Sequence, residues 1–150
     1  MAIDTVLVAI GRGDEQMDRL ERLAEVIGEY EEAAHPEFVL LHVFGADERD
    51  ELAGEMDVAA DADSDLIARR HAVTRELSDR LDTAGANFNV RGRVSDETAE
   101  AVVQVADAVD ADRIITLGRT RTPTGKVVFG SVSQQILLHA HCPVTYVGVH

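Results

Sequence analysis

The chain has 150 residues, of which 45% are hydrophobic and 28% charged, and its formal net charge is −14. This composition excludes disordered and fibrous classes, and a field of that sign argues against a nucleic acid partner. No apolar run approaches the roughly 20 residues that span a bilayer, and the N-terminus lacks the basic region and the cleavage site of a signal peptide. We therefore expect a cytoplasmic protein with no membrane partner and a single domain over residues 1–150.

The balance among the basic residues is unusual, because all but one of the 14 are Arg and the single Lys is Lys126. Many acids combined with little Lys resemble proteins of halophilic archaea. In molar salt the Debye length falls to about 3 Å, which screens the repulsion between the acids. Composition alone leaves a generically acidic cytosolic protein as the alternative.

Two kinds of hydrophobic pattern alternate along the chain and predict its fold. Short apolar runs rich in β-branched residues predict strands, and apolar residues at helical spacing predict the helices between them. Strands alternating with helices form right-handed βαβ units. We therefore predict an α/β fold with a doubly wound, flavodoxin-like parallel sheet of five strands in the order 3-2-1-4-5. The predicted strands are 3–10, 38–44, 88–94, 113–117 and 144–149, and the four predicted helices are 17–34, 66–84, 99–109 and 132–140.

Two predicted connections exceed the usual length of about 2–6 residues in α/β folds. Residues 45–63 are rich in acids, and their Ala, Gly and Asp content predicts a loop, either a flexible lid or a solvated surface. Residues 118–130 contain two Arg, one Lys and no acid. Both connections follow strands, so both lie at the carboxyl edge of the sheet, where open α/β folds bind ligands.

The basic connection and the helix after it are the best candidate for a binding site. Gly130 and Ser131 open the predicted fourth helix, whose free N–H groups and positive dipole end suit a phosphate. Arg119, Arg121 and Lys126 add positive charge in an otherwise acidic chain. Two alternatives need no ligand: Ser131 and the Gln three residues later fit a capping box, and the cations can pair with nearby acids.

Catalytic motifs have little support in the sequence. A P-loop is excluded because Gly118 and Gly125 are too far apart and Val127 replaces the Ser or Thr that would hold Mg²⁺. No nucleophile has a visible base beside it, so we predict no catalytic residue and at most a weak ATPase.

Histidine and cysteine also give no convincing site. His139, His141 and Cys142 suggest metal ligands, but no second cluster supplies a fourth ligand, so we predict no metal. His42 lies in an apolar strand, and this position favours a core histidine over a catalytic one.

The run from Ile114 to Val147 resembles the C-terminal signature of the universal stress protein family. The matching pieces are Gly118, the run Gly130-Ser131-Val132 and the strand start Cys142-Pro143-Val144. The resemblance covers the whole chain, and its further pieces are Val6 to Ala9, Leu40 to Val43, and Gly92.

This resemblance implies a flavodoxin-like fold and commonly a dimer paired through the last strands. The family includes members that bind ATP and members that do not. Two positions depart from the binders: Gly11 stands where they have an Asp, and Arg121 where they have a second loop glycine. The nucleotide contacts that the resemblance carries over are Val43, Gly118, Gly130, Ser131, Val132 and Ser133.

The residues and the resemblance together predict a stress-response module. We expect it to bind ATP with Mg²⁺, or another anion, through the loop 118–131, and to act by regulated interaction with an unidentified protein. The alternative is a nucleotide-independent dimeric scaffold with a degenerate ATP site. Residues 144–149 are apolar and uncharged, which predicts an edge strand that pairs with its two-fold mate; an inner strand is the alternative.

Overall fold

The computed structural model describes residues 3–10, 17–57, 63–117 and 131–148. Within these ranges the chain forms five strands and six helices. The strands are β1 (Thr5–Ile10), β2 (Glu37–Phe44), β3 (Asn87–Val94), β4 (Arg113–Leu117) and β5 (Val144–Val147). The helices are α1 (Met17–Ala34), α2 (Ala46–Glu55), α3 (Ser64–Arg70), α4 (Ala72–Ala84), α5 (Thr98–Ala108) and α6 (Ser131–His139).

The strands form one parallel sheet in the order β3-β2-β1-β4-β5, which confirms the predicted order. β1 lies at the centre, where Val8 pairs with Leu40 of β2 on one side and with Ile115 of β4 on the other. Parallel neighbours need long crossover connections, and the helices supply them. β3 and β5 are the edge strands of the described sheet.

The two faces of the sheet carry separate apolar layers. Alternate strand residues point to opposite faces, so Val8 and Leu40 pack in one cluster with residues of α1 and α4. Leu7 and Leu41 pack in the other cluster with residues of α5 and α6. Because helices cover both faces, the central strands are buried on both faces and mostly apolar, without a regular alternation of apolar and polar residues.

The predicted number of four helices was wrong. One reason is that the predicted helix over 66–84 is broken at His71, whose ψ of 135° is extended and not helical. The break separates α3 from α4. His71 is buried, and its ring lies against the ring of His42. The break therefore coincides with a contact between residues that are far apart in the chain.

The other reason is that the acid-rich connection 45–63 contains α2, although it was predicted to lack regular structure. This helix buries Ala53 against Phe44, and Leu52 and Met56 pack at the edge of the same small cluster. Its first turn contains acidic residues, which complement the positive end of the helix dipole. Because α2 has so few apolar residues, its sequence shows almost no helical periodicity, and pattern alone did not predict it.

The helix α3 covers the outer edge of β3. The backbone N–H of Gly92 donates to Oδ1 of Asp65 at 2.8 Å, and a Cβ on Gly92 would lie 2.0 Å from the carbonyl oxygen of Ser64. Only glycine allows this approach. Ile67 of α3 is fully buried in one cluster with Phe44. An edge strand covered in this way is protected from pairing with another chain.

Candidate functional site

The strands β1, β2 and β4 end at one edge of the sheet. The ladder between β1 and β2 stops at the pair Ile10–His42, and β2 then continues to Phe44. Val43 therefore lies beyond the end of β1. Since the chain leaves β1 towards one face and β4 towards the other, strand order reverses here, and open α/β sheets bind ligands at such a point.

Val43, the predicted contact on β2, faces the layer that contains α5. Its side chain is buried in the same cluster as Ala101 and Val102. A ligand at the sheet edge would therefore meet mainly the backbone of Val43 and the outer part of its side chain.

The first turn of α6 belongs to the same face, because Ile136 of α6 lies in that cluster as well. Ser131 is exposed, and so is Val132. The structure describes α6 from Ser131 onward, and Gly130, the residue before it, lies outside the described residues. The capping box of Ser131 and Gln134 therefore stays an alternative prediction.

Ser133, also predicted as a contact, turns its side chain inward. Its Oγ lies 3.2 Å from Oγ1 of Thr116 and 3.4 Å from the carbonyl oxygen of Leu117. Ser133 and Thr116 are both buried. These contacts tie the first turn of α6 to the end of β4 and so set the direction in which the helix starts.

The structure describes only some of the predicted site residues. The structure brings Val43 and the exposed Ser131 and Val132 to one edge and face of the sheet, with Ser133 packed beneath them. The predicted contacts that lie outside the described residues are Gly118, Arg119, Arg121, Lys126 and Gly130, together with Gly11.

The His and Cys residues near the end of α6 contact separate partners. Nε2 of His139 lies 3.1 Å from Oε1 of Gln135, and Nδ1 of His141 lies 2.9 Å from Oδ2 of Asp107. Across the described ranges, no three His, Cys, Asp or Glu side chains are grouped so that they could hold a metal ion. Burial raises the pKa of the Cys142 thiol, and a protonated thiol is a poor nucleophile and metal ligand.

Sequence reasoning missed a cluster of buried titratable residues beside this edge. His42 is a core histidine, as predicted, but it contacts Glu48 of α2 and His71 at the α3–α4 break. Neither α2 nor the break was predicted, so nothing in the sequence brought these side chains together. The available signal was that His42 lies within a continuous apolar strand, which indicates a buried side chain.

None of the helices within the described ranges is long and apolar enough to cross a bilayer.

Three comparisons place the chain among known proteins. The profile of the Universal stress protein family matches residues 2–148. A universal stress protein of Mycolicibacterium smegmatis is 32% identical over 92 residues, which are 61% of this chain and 71% of that protein.

Two solved structures share the fold. The crystal structure of a universal stress protein in complex with cAMP has a TM-score of 0.68 and 22% identity, and the match covers 100% of both chains. The structure of the universal stress protein from Archaeoglobus fulgidus in complex with dAMP has a TM-score of 0.67 and 23% identity, covering 98% of this chain and 99% of that one.

Proposed function

Because the chain belongs to the universal stress protein family, we propose that it binds an adenine nucleotide at the carboxyl edge of its sheet and acts through regulated protein interaction. The observation that carries this proposal is the placement of Val43 and the first turn of α6 on one face, at the point where strand order reverses. Proteins of the same fold hold cAMP and dAMP.

In this proposal the base lies beside Val43 and the phosphates lie at the start of α6. The first turn of α6 contains no acidic residue, and its N–H groups carry partial positive charge. Ser131 and Val132 are exposed there. Gly118 and Gly130 would let the backbone approach the phosphates closely. The favoured ligand is ATP with Mg²⁺, because the metal offsets phosphate charge in a strongly acidic protein.

The two departures from the ATP-binding pattern change how the phosphates would be held. Arg121 replaces a glycine, so the backbone loses freedom at that position. An Arg side chain instead offers a planar fork of N–H donors that matches phosphate oxygens, and Arg119 and Lys126 add charge beside it. Gly11 removes a nucleoside contact, and this loss weakens recognition of the nucleoside rather than of the phosphates.

We also propose that the chain, as one domain over residues 1–150, forms a homodimer in the cytoplasm through residues 144–149. β5 is an edge strand of the described sheet, and α6, which precedes it, leaves Leu138 67% exposed. The side chain of Val147 is buried in the core, so charge there would destabilise the monomer itself. Leu138→Glu is the better variant: light scattering should report a monomer, and a dimer of unchanged affinity would contradict this interface.

Calorimetric titration in molar KCl tests nucleotide binding, with Mg²⁺-ATP, AMP and inorganic phosphate as ligands. We expect ATP to bind at least about tenfold more tightly than AMP, which corresponds to about 1.4 kcal/mol. Arg121→Ala should weaken ATP more than AMP, because it removes a phosphate contact.

The matched control is Arg75→Ala, an exposed Arg of α4 on the other face of the sheet, which should leave both affinities unchanged. Absence of heat and of thermal stabilisation with every ligand would refute nucleotide binding and favour the ligand-free scaffold.

A further inference from the structure

Arg93 of β3 lies beside Val43, the residue next to which the base is placed in the proposed nucleotide site. The two residues are partners in the ladder between β2 and β3, and paired residues on neighbouring strands point to the same face of a sheet. Val43 faces the layer that contains α5, so Arg93 points to that side as well. Neighbouring strands are about 4.8 Å apart, a distance that an Arg side chain can span.

This pair of residues lies at the carboxyl edge of the sheet. The ladder between β1 and β2 stops at His42, whereas the ladder between β2 and β3 continues through Val43 and Arg93 and ends at Phe44. Val43 and Arg93 therefore both lie beyond the end of β1, where a ligand can approach them from the edge.

The side chain of Arg93 is open to solvent on this face. The apolar layer that contains α5 has members from β1, β2 and β4 but, within the described ranges, none from β3. Arg93 is exposed, and it forms no ion pair with any acid that the structure describes. In a chain whose acidic residues outnumber Lys and Arg by 28 to 14, this guanidinium group stands at the border of the proposed site without a described partner.

The spacing of the strands decides which part of a nucleotide Arg93 can contact. The first turn of α6, where the phosphates are placed, is tied to β4 by the contact of Ser133 with Thr116. In the strand order, β3 is the neighbour of β2 but lies three strand intervals from β4, which is about 14 Å. Arg93 is therefore close to the base and remote from the phosphates.

The chemistry of a guanidinium group suits contact with a base. The group is planar and always charged, and it stacks on aromatic faces, including those of nucleic acid bases. Gly11, which follows β1 in the chain, removes a nucleoside contact. Since β1 and β3 flank β2 on opposite sides, Arg93 offers a contact on the other side of Val43.

Given the nucleotide binding proposed above, on which this inference rests, we propose that Arg93 binds the nucleoside half of the ligand. Its guanidinium group stacks on the base beside Val43 and replaces the contact that is lost at Gly11. The contact stabilises every ligand that carries the base, with or without phosphates, and it does not depend on phosphate charge.

Calorimetric titration in molar KCl with Mg²⁺-ATP, AMP and adenosine tests this assignment, because high salt screens the attraction between Arg93 and phosphate charge. Arg93→Ala should weaken all three ligands by a similar factor of at least about five, as expected for the loss of a stacking contact. Arg93→Lys keeps the charge but not the planar group, so it should not restore the affinity.

Arg91→Ala is the matched control. Arg91 is also an exposed Arg of β3 on the same face, but it pairs with Leu41 and lies about 6.6 Å further from the carboxyl edge. This variant should bind all three ligands as the wild type does. Since Arg91 and Arg93 are both exposed, all three variants should unfold in urea within about 0.5 kcal/mol of the wild type.

The outcomes separate this inference from nucleotide binding itself. Wild-type binding that Arg93→Ala leaves unchanged would overturn the role of Arg93 alone. A loss confined to ATP, an equal loss in Arg91→Ala, or full affinity in Arg93→Lys would overturn it as well, because each shows an effect of charge rather than a contact with the base. Absence of binding to all three ligands in the wild type would refute the proposed function, and the role of Arg93 with it.

Discussion

Gly92→Ala should destabilise the protein far more than an added methyl group in a strand ordinarily does. The new Cβ would lie 2.0 Å from the carbonyl oxygen of Ser64, 2.5 Å from its carbonyl carbon and 3.1 Å from Cε2 of Phe44. Two of these atoms are backbone atoms, which no rotamer change can move. The start of α3 must therefore move away from β3.

The cost can be estimated from what that displacement breaks. It removes the hydrogen bond from Gly92 N–H to the Asp65 carboxylate, and bonds to charged groups contribute about 1.5–3 kcal/mol. It also uncovers part of Ile67, which is fully buried and whose complete exposure costs about 1.5–3 kcal/mol. We expect a loss of about 3–5 kcal/mol in the free energy of unfolding, or roughly 10 °C in Tm.

Urea denaturation followed by circular dichroism at constant high salt measures this difference. Gly28→Ala is the control, because nothing lies within 4 Å of its added Cβ and alanine favours a helix over glycine by about 0.5–1 kcal/mol. The control should be unchanged or slightly more stable. If the free energy of unfolding of Gly92→Ala lies within about 1 kcal/mol of the wild-type value, α3 does not pack tightly on β3 at Gly92.

Four further predictions concern single side chains. Ser131→Ala should change the free energy of unfolding by less than about 0.5 kcal/mol, because Ser131 is exposed, yet it should weaken ATP binding in calorimetry. Ser133→Ala should lower the free energy of unfolding in urea by about 1 kcal/mol, because it removes buried hydroxyl contacts. Tyr30→Phe should cost about 1 kcal/mol in the same assay, because its hydroxyl lies 2.6 Å from Oγ1 of Thr145; no loss would show that this bond does not hold α1 to β5. The raised pKa of the Cys142 thiol predicts slower alkylation by iodoacetamide near pH 8 than for a free thiol, and alkylation as fast as that of a free thiol would contradict this prediction. The contribution of the buried neutral thiol to stability is present at neutral pH and is lost as the pH rises through the pKa of the folded state.

The sheet could be predicted because local pattern determines it. The apolar residues Leu20, Leu23 and Ile27 recur at helical spacing, and all three are buried in α1. Strands that alternate with such helices have few ways to connect, because crossovers are right-handed. The order of the strands therefore followed from pattern and handedness together.

Between β2 and β3, the helix α4 was predicted, but α2 and the break at His71 were not, for the opposite reason. The break and the placement of α3 depend on contacts between residues far apart in the chain, such as His71 with His42 and Ser64 with Gly92. The apolar residues of α2 are too few to recur at helical spacing in the sequence. Local propensity therefore favoured a loop where tertiary contacts stabilise α2.

The candidate site stays a prediction, and the structure describes only some of its residues. The carboxyl edge follows from topology, and the structure places Val43 and the start of α6 on one face of it. The side chain of Ser133 is buried because its hydroxyl contacts the buried Thr116 of β4, and this contact depends on tertiary packing. Sequence spacing alone gives no reason to distinguish Ser133 from the exposed Ser131.

The most direct test of the account is to find where an adenine nucleotide attaches. Photolabelling with 8-azido-ATP and Mg²⁺ in molar KCl, followed by peptide mapping, reports the residues beside the base. We predict labelling in the peptide that contains Val43 or in the peptide covering residues 118–133, and this labelling should disappear when unmodified ATP competes. A groove between α1 and α4 is lined by Gly28, Leu77 and Arg80, among others. Labelling confined to that groove, or labelling that ATP does not reduce, would contradict a nucleotide site at the carboxyl edge of the sheet.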